Sequence, residues 1–226
     1  MAFRKKQRLL EAYEPDLVLI QECEHTDKIV APDIHDSCWF GDNVHKGVGV
    51  FSLNPEISLT PIPFEHENNR WFIPIKTNSD FSFALVWAGN HRKNQVIDKI
   101  QPSYRTLSEH AATFKGLDMI MGDFNNNVIW DTNEKRKYKK GTFQEILDLI
   151  ASLGFYSVYH SIFSEAPGQE SRPTHIWRKS YETTYHIDYC FLKENLQQNL
   201  LGFKLLDDEF WVQHSDHFPL LIDLDM

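Results

Sequence analysis

Short apolar runs in this chain keep ending on residues that can hold a hard metal ion or move a proton. Leu17-Val18-Leu19-Ile20-Gln21 leads into Glu22, and Met119-Ile120-Met121 leads into Gly122-Asp123-Phe124-Asn125. Asp188 lies inside the apolar stretch Ile187 to Leu192, and Ser215-Asp216-His217 comes just before Pro219-Leu220-Leu221-Ile222. Asp188 constrains the fold most. A carboxylate within a strand that reads as buried must find partners in the fold, because an isolated buried charge is prohibitively costly. Polar residues at the ends of several buried strands can converge from different parts of the sequence. Any fold for this chain has to bring those ends together.

Asp123 and Asn125 are two apart, so on an extended segment both face one side while Phe124 turns inward. A carboxylate and an amide on one face can hold a water between them. Mg²⁺ takes oxygen ligands and needs few protein carboxylates, and Glu22 and Asp216 are candidates to supply them. An imidazole such as His217 offers a proton donor or acceptor near neutral pH, and Asp188 can hold it in one tautomer.

The elements around these residues read as a mixture. Residues 4–13 are expected to form a helix stopped by Pro15, and 16–21 a buried strand. Residues 47–52 form another, 71–75 an edge strand because Pro74 cannot donate to a ladder, and 81–88 a longer one. Helical signals over 95–115 are interrupted by Pro102, and 117–121 is a short strand. Thr142 and Glu145 make a capping box for a helix over 142–153, which Gly154 ends. Further strands fall near 155–159, 186–192, 201–206 and 219–224. Strands outnumber helices, which points to an α+β, layered α/β domain. No repeat or linker breaks the 226 residues, so one domain over 1–226 is expected.

Taken together, these segments resemble the endonuclease/exonuclease/phosphatase superfamily, the DNase I-like enzymes. The matching pieces are Pro15 to Glu22, Gly47 to Ser52, Met121 to Asn125, His186 to Tyr189 and Ser215 to Leu220, in the family's order. Val128-Ile129-Trp130-Asp131 and Val158-Tyr159-His160 resemble a small prokaryotic branch of it. The resemblance implies a four-layer α/β-sandwich of two packed mixed sheets flanked by helices, and Mg²⁺- or Mn²⁺-dependent hydrolysis of a phosphoester. It implies Glu22 as a metal ligand and Asp216 on the metal side of the site. Asp123 would activate or position the attacking water, and Asn125 would orient water and phosphate. His217 would contact the scissile phosphate, oriented by Asp188. Trp87 stands where relatives often carry a Tyr or His, and nearby His91 is a candidate substitute donor, a surface-loop histidine being the plainer reading. The family also opens with a strand ending in Trp-Asn. Met1 falls where the following segment belongs, so the first strand is expected to be encoded in frame upstream.

The formal charge is −9, from 23 basic and 32 acidic residues, so a nucleic-acid partner would be met by a local basic patch or through bound metal. The run from Lys135 to Lys140 is such a patch, with Lys137 and Lys139 as phosphate contacts; a solvated loop is an equal alternative. His160, Glu170 and Arg172 are further candidates for substrate contact, though His160 and His186 suit supporting roles better than catalytic ones. Trp130, Trp177 and Trp211 suit base stacking or the core. A nuclease is the leading expectation. A phosphatase or phosphodiesterase of small or lipid phosphoesters is the alternative, and an inactive binding module follows if the Asn strand is truly missing. Three widely spaced cysteines, no apolar segment after the basic N-terminus and no membrane-length stretch suggest a reduced, cytoplasmic protein, monomeric by default.

Overall fold

The computed structural model describes residues 6–29, 33–64, 72–88, 100–132 and 138–226. Its centre is a six-stranded mixed sheet in the order β4-β5-β6-β7-β11-β8. These strands are Leu59–Pro61 (β4), Phe72–Thr77 (β5), Ser82–Trp87 (β6), Met119–Asp123 (β7), Asp188–Lys193 (β11) and Phe155–Ser157 (β8). In this sheet β6 and β7 pair in parallel, with Trp87 level with Asp123. The antiparallel β7–β11 ladder sets Asp123 opposite Asp188.

Alternation along β6 builds both faces of this sheet. Ala84 and Val86 join Leu107, Phe114, Phe143, Ile146 and Ile150 of the helices Pro102–Glu109 (α1), Ala111–Lys115 (α2) and Phe143–Ser152 (α3). Phe83, Leu85 and Trp87 face the other way. They meet a three-stranded sheet, β1-β3-β2, built from Leu17–Cys23 (β1), Asp36–Asn43 (β2) and Lys46–Ser52 (β3). They also meet a separate pair, Leu200–Leu205 (β12) with Leu220–Leu224 (β13). The result is the expected α+β sandwich of mixed sheets flanked by helices. The strand expected upstream of Met1, and Met1 to Lys5 themselves, lie outside the described residues.

Several local expectations change. Among residues 6–13 the backbone makes two single 3-10 turns, Gln7–Leu9 and Glu11–Tyr13, rather than one α-helix. So short a segment gains little from helix propagation, and Leu9, Leu10 and Tyr13 reach the cluster around Trp211 without it. The strand expected at 71–75 is β5, and it lies one position in from the edge. Pro74 is tolerated because its carbonyl accepts from Ile62 just past the end of short β4. A residue's N–H and C=O point the same way in an antiparallel ladder, so the missing donor faces the end of that ladder. Pro102 starts a helix instead of interrupting one, with the Gln101 side chain accepting the Tyr104 N–H. The strand expected over 155–159 stops at Ser157, and Val158–Phe163 is a helix (α4). Tyr159 and Phe163 stack one turn apart with ring centres 4.6 Å apart. Two short strands, His175–Ile176 (β9) and Thr184–Tyr185 (β10), pair beside the centre, and Glu209–His214 is a final helix (α5). The α3 capping box forms as expected, and Asp131 accepts the N–H groups of Phe143 and Gln144 besides.

The loop 164–172 has no regular structure but is pinned from inside. Glu165 accepts the Tyr159 hydroxyl at 2.7 Å and the Ser171 N–H at 2.8 Å. The Glu170 side chain, 4% exposed, accepts His160 Nε2–H at 3.1 Å and faces Asn127 Nδ2 at 3.3 Å. Asn127 Nδ2 also lies 2.9 Å from the His186 carbonyl and 3.0 Å from the Tyr189 hydroxyl, tying this loop to the start of β11.

Burial alone would raise the Glu170 carboxyl. The His160 ring N–H and the backbone N–H groups of Gly168 and Glu170 outweigh it and hold the group down to about 2. A carboxyl depressed on folding stabilises above its unfolded value, here 4.5, and loses that contribution as pH falls towards about 2. Glu170→Gln is therefore expected to cost about 2 kcal/mol at neutral pH. The gap from the parent should close on acidification, which urea unfolding at a series of pH values reads directly. Gly122 gives a second prediction. Its φ is +142°, and an added Cβ would stand 2.0 Å from the Val86 carbonyl oxygen and 2.8 Å from Gln21 Nε2. Gly122→Ala should destabilise by about 3 kcal/mol or more, read as a lowered unfolding midpoint.

Candidate active site

Asp123 ends β7 and Asp188 begins β11, and the cross-strand pairing makes them neighbours at one end of the central sheet. Phe124 decides which way the chain leaves. Its ring is buried among Phe72, Phe143, Tyr189 and Phe191, with edge-to-face contacts between 5.4 and 6.2 Å. With Phe124 anchored inward, the residues on either side turn outward. Asn125 is not extended as its spacing suggested. It takes a left-handed conformation, φ +48°, which Asn tolerates better than most residues. The turn lets Asn125 donate twice to Asp123, from its backbone N–H at 2.7 Å and from Nδ2 at 2.6 Å. Carboxylate and amide thus bind each other directly.

His217 arrives from the opposite side of the sequence. The Ser215 hydroxyl accepts the His217 N–H at 3.0 Å, and His217 forms an isolated antiparallel bridge with His175. His217 Nδ1 donates to both oxygens of Asp188, at 2.9 and 3.1 Å. That leaves Nε2 directed away from Asp188, on a side chain 34% exposed. One ligand atom each from Asp123, Asp188 and His217 lie within 4.8 Å of one another.

The electrostatics follow from this crowding. Burial, then the charge of Asp188 and more weakly that of Glu22, push the Asp123 carboxyl well above the usual carboxylate range, against the opposing pull of His217 and the Asn125 N–H. Burial alone would lower the His217 imidazolium. The Asp188 carboxylate, with Asp123 and Asp216 beyond it, overrides that and pushes the group up to about 10. Two buried carboxylates held this close, one with its proton affinity raised, fit a hard divalent cation with oxygen donors. His217 Nδ1 and both Asp188 oxygens are committed to each other, so carboxylates beside that pair suit the cation better than the ring does.

Glu22 lies in a β-bulge. Gln21 pairs with Val48 and Cys23 with Gly47, so Glu22 is the extra residue, with φ +57°. Its carboxylate stands near enough to raise Asp123, and it is ion-paired with Lys46 at 3.0 Å. Asp216 is half-buried; its charge bears on His217, and its carbonyl accepts the Ile176 N–H. Asp123, Asp188 and His217 are thus gathered together with Asn125 bonded to Asp123, while Glu22 and Asp216 stand near enough for their charges to act on them.

The other candidates are spread more widely. His160 and Glu170 bond to each other, and Arg172 pairs with Asp207 and the Leu205 carbonyl. His186 Nδ1 donates to the Arg172 carbonyl. Lys139 is exposed on the loop before α3, whereas Lys137 and His91 lie outside the described residues. Trp211 is core and Trp177 is exposed, while Trp130 packs on Tyr185 with ring centres 5.0 Å apart.

Three supporting residues carry no signal of their own in the sequence. The Thr174 hydroxyl accepts the N–H groups of Ile187 and Asp188, both at 2.9 Å, and so sets the start of β11. Asn127 ties the Asp123 loop to that same start. His175 is buried with its ring 4.6 Å from that of His217; burial first, then the His217 charge, lower its proton affinity. Only the register of β9 against residues 216–218 brings it there.

No protein-family model and no curated protein matches the chain. Solved structures do. The 3′ phosphatase NExo from Neisseria, bound to a product DNA hairpin, superposes with a TM-score of 0.71 at 16% identity, over 99% of this chain and 94% of that one. An AP endonuclease from Archaeoglobus fulgidus gives 0.67 at 15% identity, over 97% and 92%. The endonuclease domain of TRAS1, a telomere-specific non-LTR retrotransposon, gives 0.67 at 11% identity, over 98% and 91%. With the layered sheets and the strand-end site in place, the chain has the DNase I-like fold that these structures share.

Proposed function

We propose that this chain is a single-domain, metal-dependent phosphoester hydrolase that cleaves nucleic-acid phosphodiesters by in-line attack of water. The observation that carries the reading is the Asp123–Asp188–His217 group, with His217 doubly bonded to Asp188 and Asp123 doubly bonded by Asn125. The naming of the structural neighbours for DNA phosphatase and endonuclease activity supports it.

Asp123 takes the part of the base. A carboxylate whose proton affinity is raised by burial and by Asp188 accepts a proton from water more readily than an ordinary one. Asn125 holds that carboxylate in place, so it does not reorganise as the proton moves. His217 is held as an imidazolium by Asp188 and directs Nε2–H away from that carboxylate, where a phosphoryl oxygen would gather charge. Glu22 and Asp216 would hold the divalent cation, Mg²⁺ or Mn²⁺, which when bound supplies positive charge to the phosphoryl and leaving oxygens. The overall charge of −9 leans mildly towards a small or lipid phosphoester instead, and a substrate panel separates the two.

The panel should include single- and double-stranded DNA, RNA, a 3′-phosphorylated oligonucleotide and a small phosphodiester, each with Mg²⁺, with Mn²⁺ and with EDTA. Cleavage of a nucleic acid, lost in EDTA, is the expected result, and turnover of the small ester alone would favour the alternative. Asp123→Asn and His217→Ala should each lower kcat by about a hundredfold or more, and full activity in Asp123→Asn would sink the mechanism. The His217 ring gives an independent check. Its pKa of about 10 keeps it charged through neutrality, so its NMR shifts should stay at the imidazolium position from about pH 6 to about pH 8. In Asp188→Asn the same ring should titrate within that window.

A further inference from the structure

Lys46 opens β3 directly after the β2–β3 turn, where Asn43 pairs with it across the hairpin. Its ammonium lies 3.0 Å from the Glu22 carboxylate and 5.2 Å from the centre of the Trp87 ring. Trp87 is level with Asp123 in the parallel β6–β7 ladder, so this lysine stands at the rim of the candidate site, on its metal side. The bulge at Glu22 produces the meeting. An unbulged β1 would send the side chain of residue 22 to the face set by strict alternation, whereas φ +57° redirects it towards the start of β3.

The pair is weak by construction. Both side chains are about half exposed, Lys46 at 52% and Glu22 at 43%, and exposed ion pairs contribute little. A divalent cation offers the same carboxylate twice the charge. The ammonium would be released but not lost, because the Trp87 face retains an attraction for it. It would then be an uncommitted cation beside the reaction centre of an otherwise acidic protein.

Resting on the hydrolase reading above, we propose that Lys46 is a substrate-phosphate contact, held on Glu22 in the metal-free protein and released to the substrate when a divalent cation takes that carboxylate. Metal and nucleic-acid binding are then coupled through one side chain. The lysine competes with the metal in the free protein and favours the substrate in the loaded one.

Two binding titrations test this without turnover. The first follows Mn²⁺ binding by electron paramagnetic resonance. The second follows a fluorescent phosphorothioate oligonucleotide by anisotropy at saturating Mn²⁺, over a range of salt. Lys76→Met is the control, since Lys76, about as exposed as Lys46, loses an ion pair with the more exposed Asp80 near the opposite end of the β5–β6 ladder. Lys46→Met is expected to bind Mn²⁺ about two- to fivefold more tightly than the parent. It should bind the oligonucleotide about fivefold more weakly, with a salt slope lower by about one. Lys46→Arg should retain most of the oligonucleotide affinity, and Lys76→Met should match the parent in both titrations. Mn²⁺ affinity in Lys46→Met equal to that in Lys76→Met overturns the competition. Unchanged oligonucleotide affinity, or a parent that does not bind the oligonucleotide, overturns the phosphate contact. A parent that behaves as expected in both titrations yet cleaves nothing would leave the Lys46 coupling standing and remove the hydrolase reading.

Discussion

The cross-strand pairing of Asp123 with Asp188 is the interaction on which the rest of this structure depends. Two buried carboxylates at adjacent strand ends repel each other and lose their hydration. Nothing in the core repays that directly, so the surroundings are arranged around it. His217 brings a positive charge to Asp188 and donates to both its oxygens. Asn125 donates to each oxygen of Asp123. Thr174 receives the N–H groups of Ile187 and Asp188 at the point where β11 begins. The raised proton affinity of Asp123 is what these groups leave uncompensated. It is also the property that would suit this residue to accept a proton.

Keeping that arrangement fixed requires packing on the opposite side. Phe124 lies between the two residues that bind each other, and its burial among four aromatic rings makes the Asp123–Asn125 turn rigid. Gly122, one residue earlier, lets β6 and the Gln21 side chain approach where any Cβ would collide with the Val86 carbonyl. Gln21 Nε2 in turn lies 3.3 Å from that carbonyl, a polar tie between the three-stranded sheet and the central one, just before the bulge that carries Glu22. Each site residue therefore stands next to one whose work is structural, and the geometry of the site is set by the core beneath it.

That division explains what the sequence made legible. Glu22, Asp123, Asp188 and His217 could be singled out because carboxylates and imidazoles at the ends of apolar runs are unusual in kind, whatever the fold. The α3 capping box was legible because it is local, closing between Thr142 and Glu145. The edge position of residues 71–75 was misjudged, because a proline's tolerance depends on where the neighbouring strand stops. Asn125 was expected to be extended, since spacing cannot reveal a left-handed turn. His175, Thr174 and Asn127 were invisible for a deeper reason. Their roles come from register between segments far apart in the chain, such as His175 against His217, and no local pattern encodes a register. Lys46 belongs with them, since a lysine at a hairpin is ordinary until a bulge on another strand turns Glu22 towards it.

The net charge of −9 acquires a different meaning at this scale. An acidic chain repels a phosphate ester at long range, and that repulsion is screened within about 10 Å at moderate ionic strength. Closer in, the potential is set by a few groups. At the site, Asp188 has its charge balanced by the His217 imidazolium, Glu22 has its charge balanced by Lys46, and Asp123 holds its proton more readily than a free carboxyl does. The local balance is thus far less negative than a count of acids suggests. A divalent cation on Glu22 and Asp216 would shift it towards positive while freeing Lys46, so metal loading would favour the approach of a phosphate. On this reading the acidic residues of the site do not oppose an anionic substrate. They make its attraction conditional on the metal.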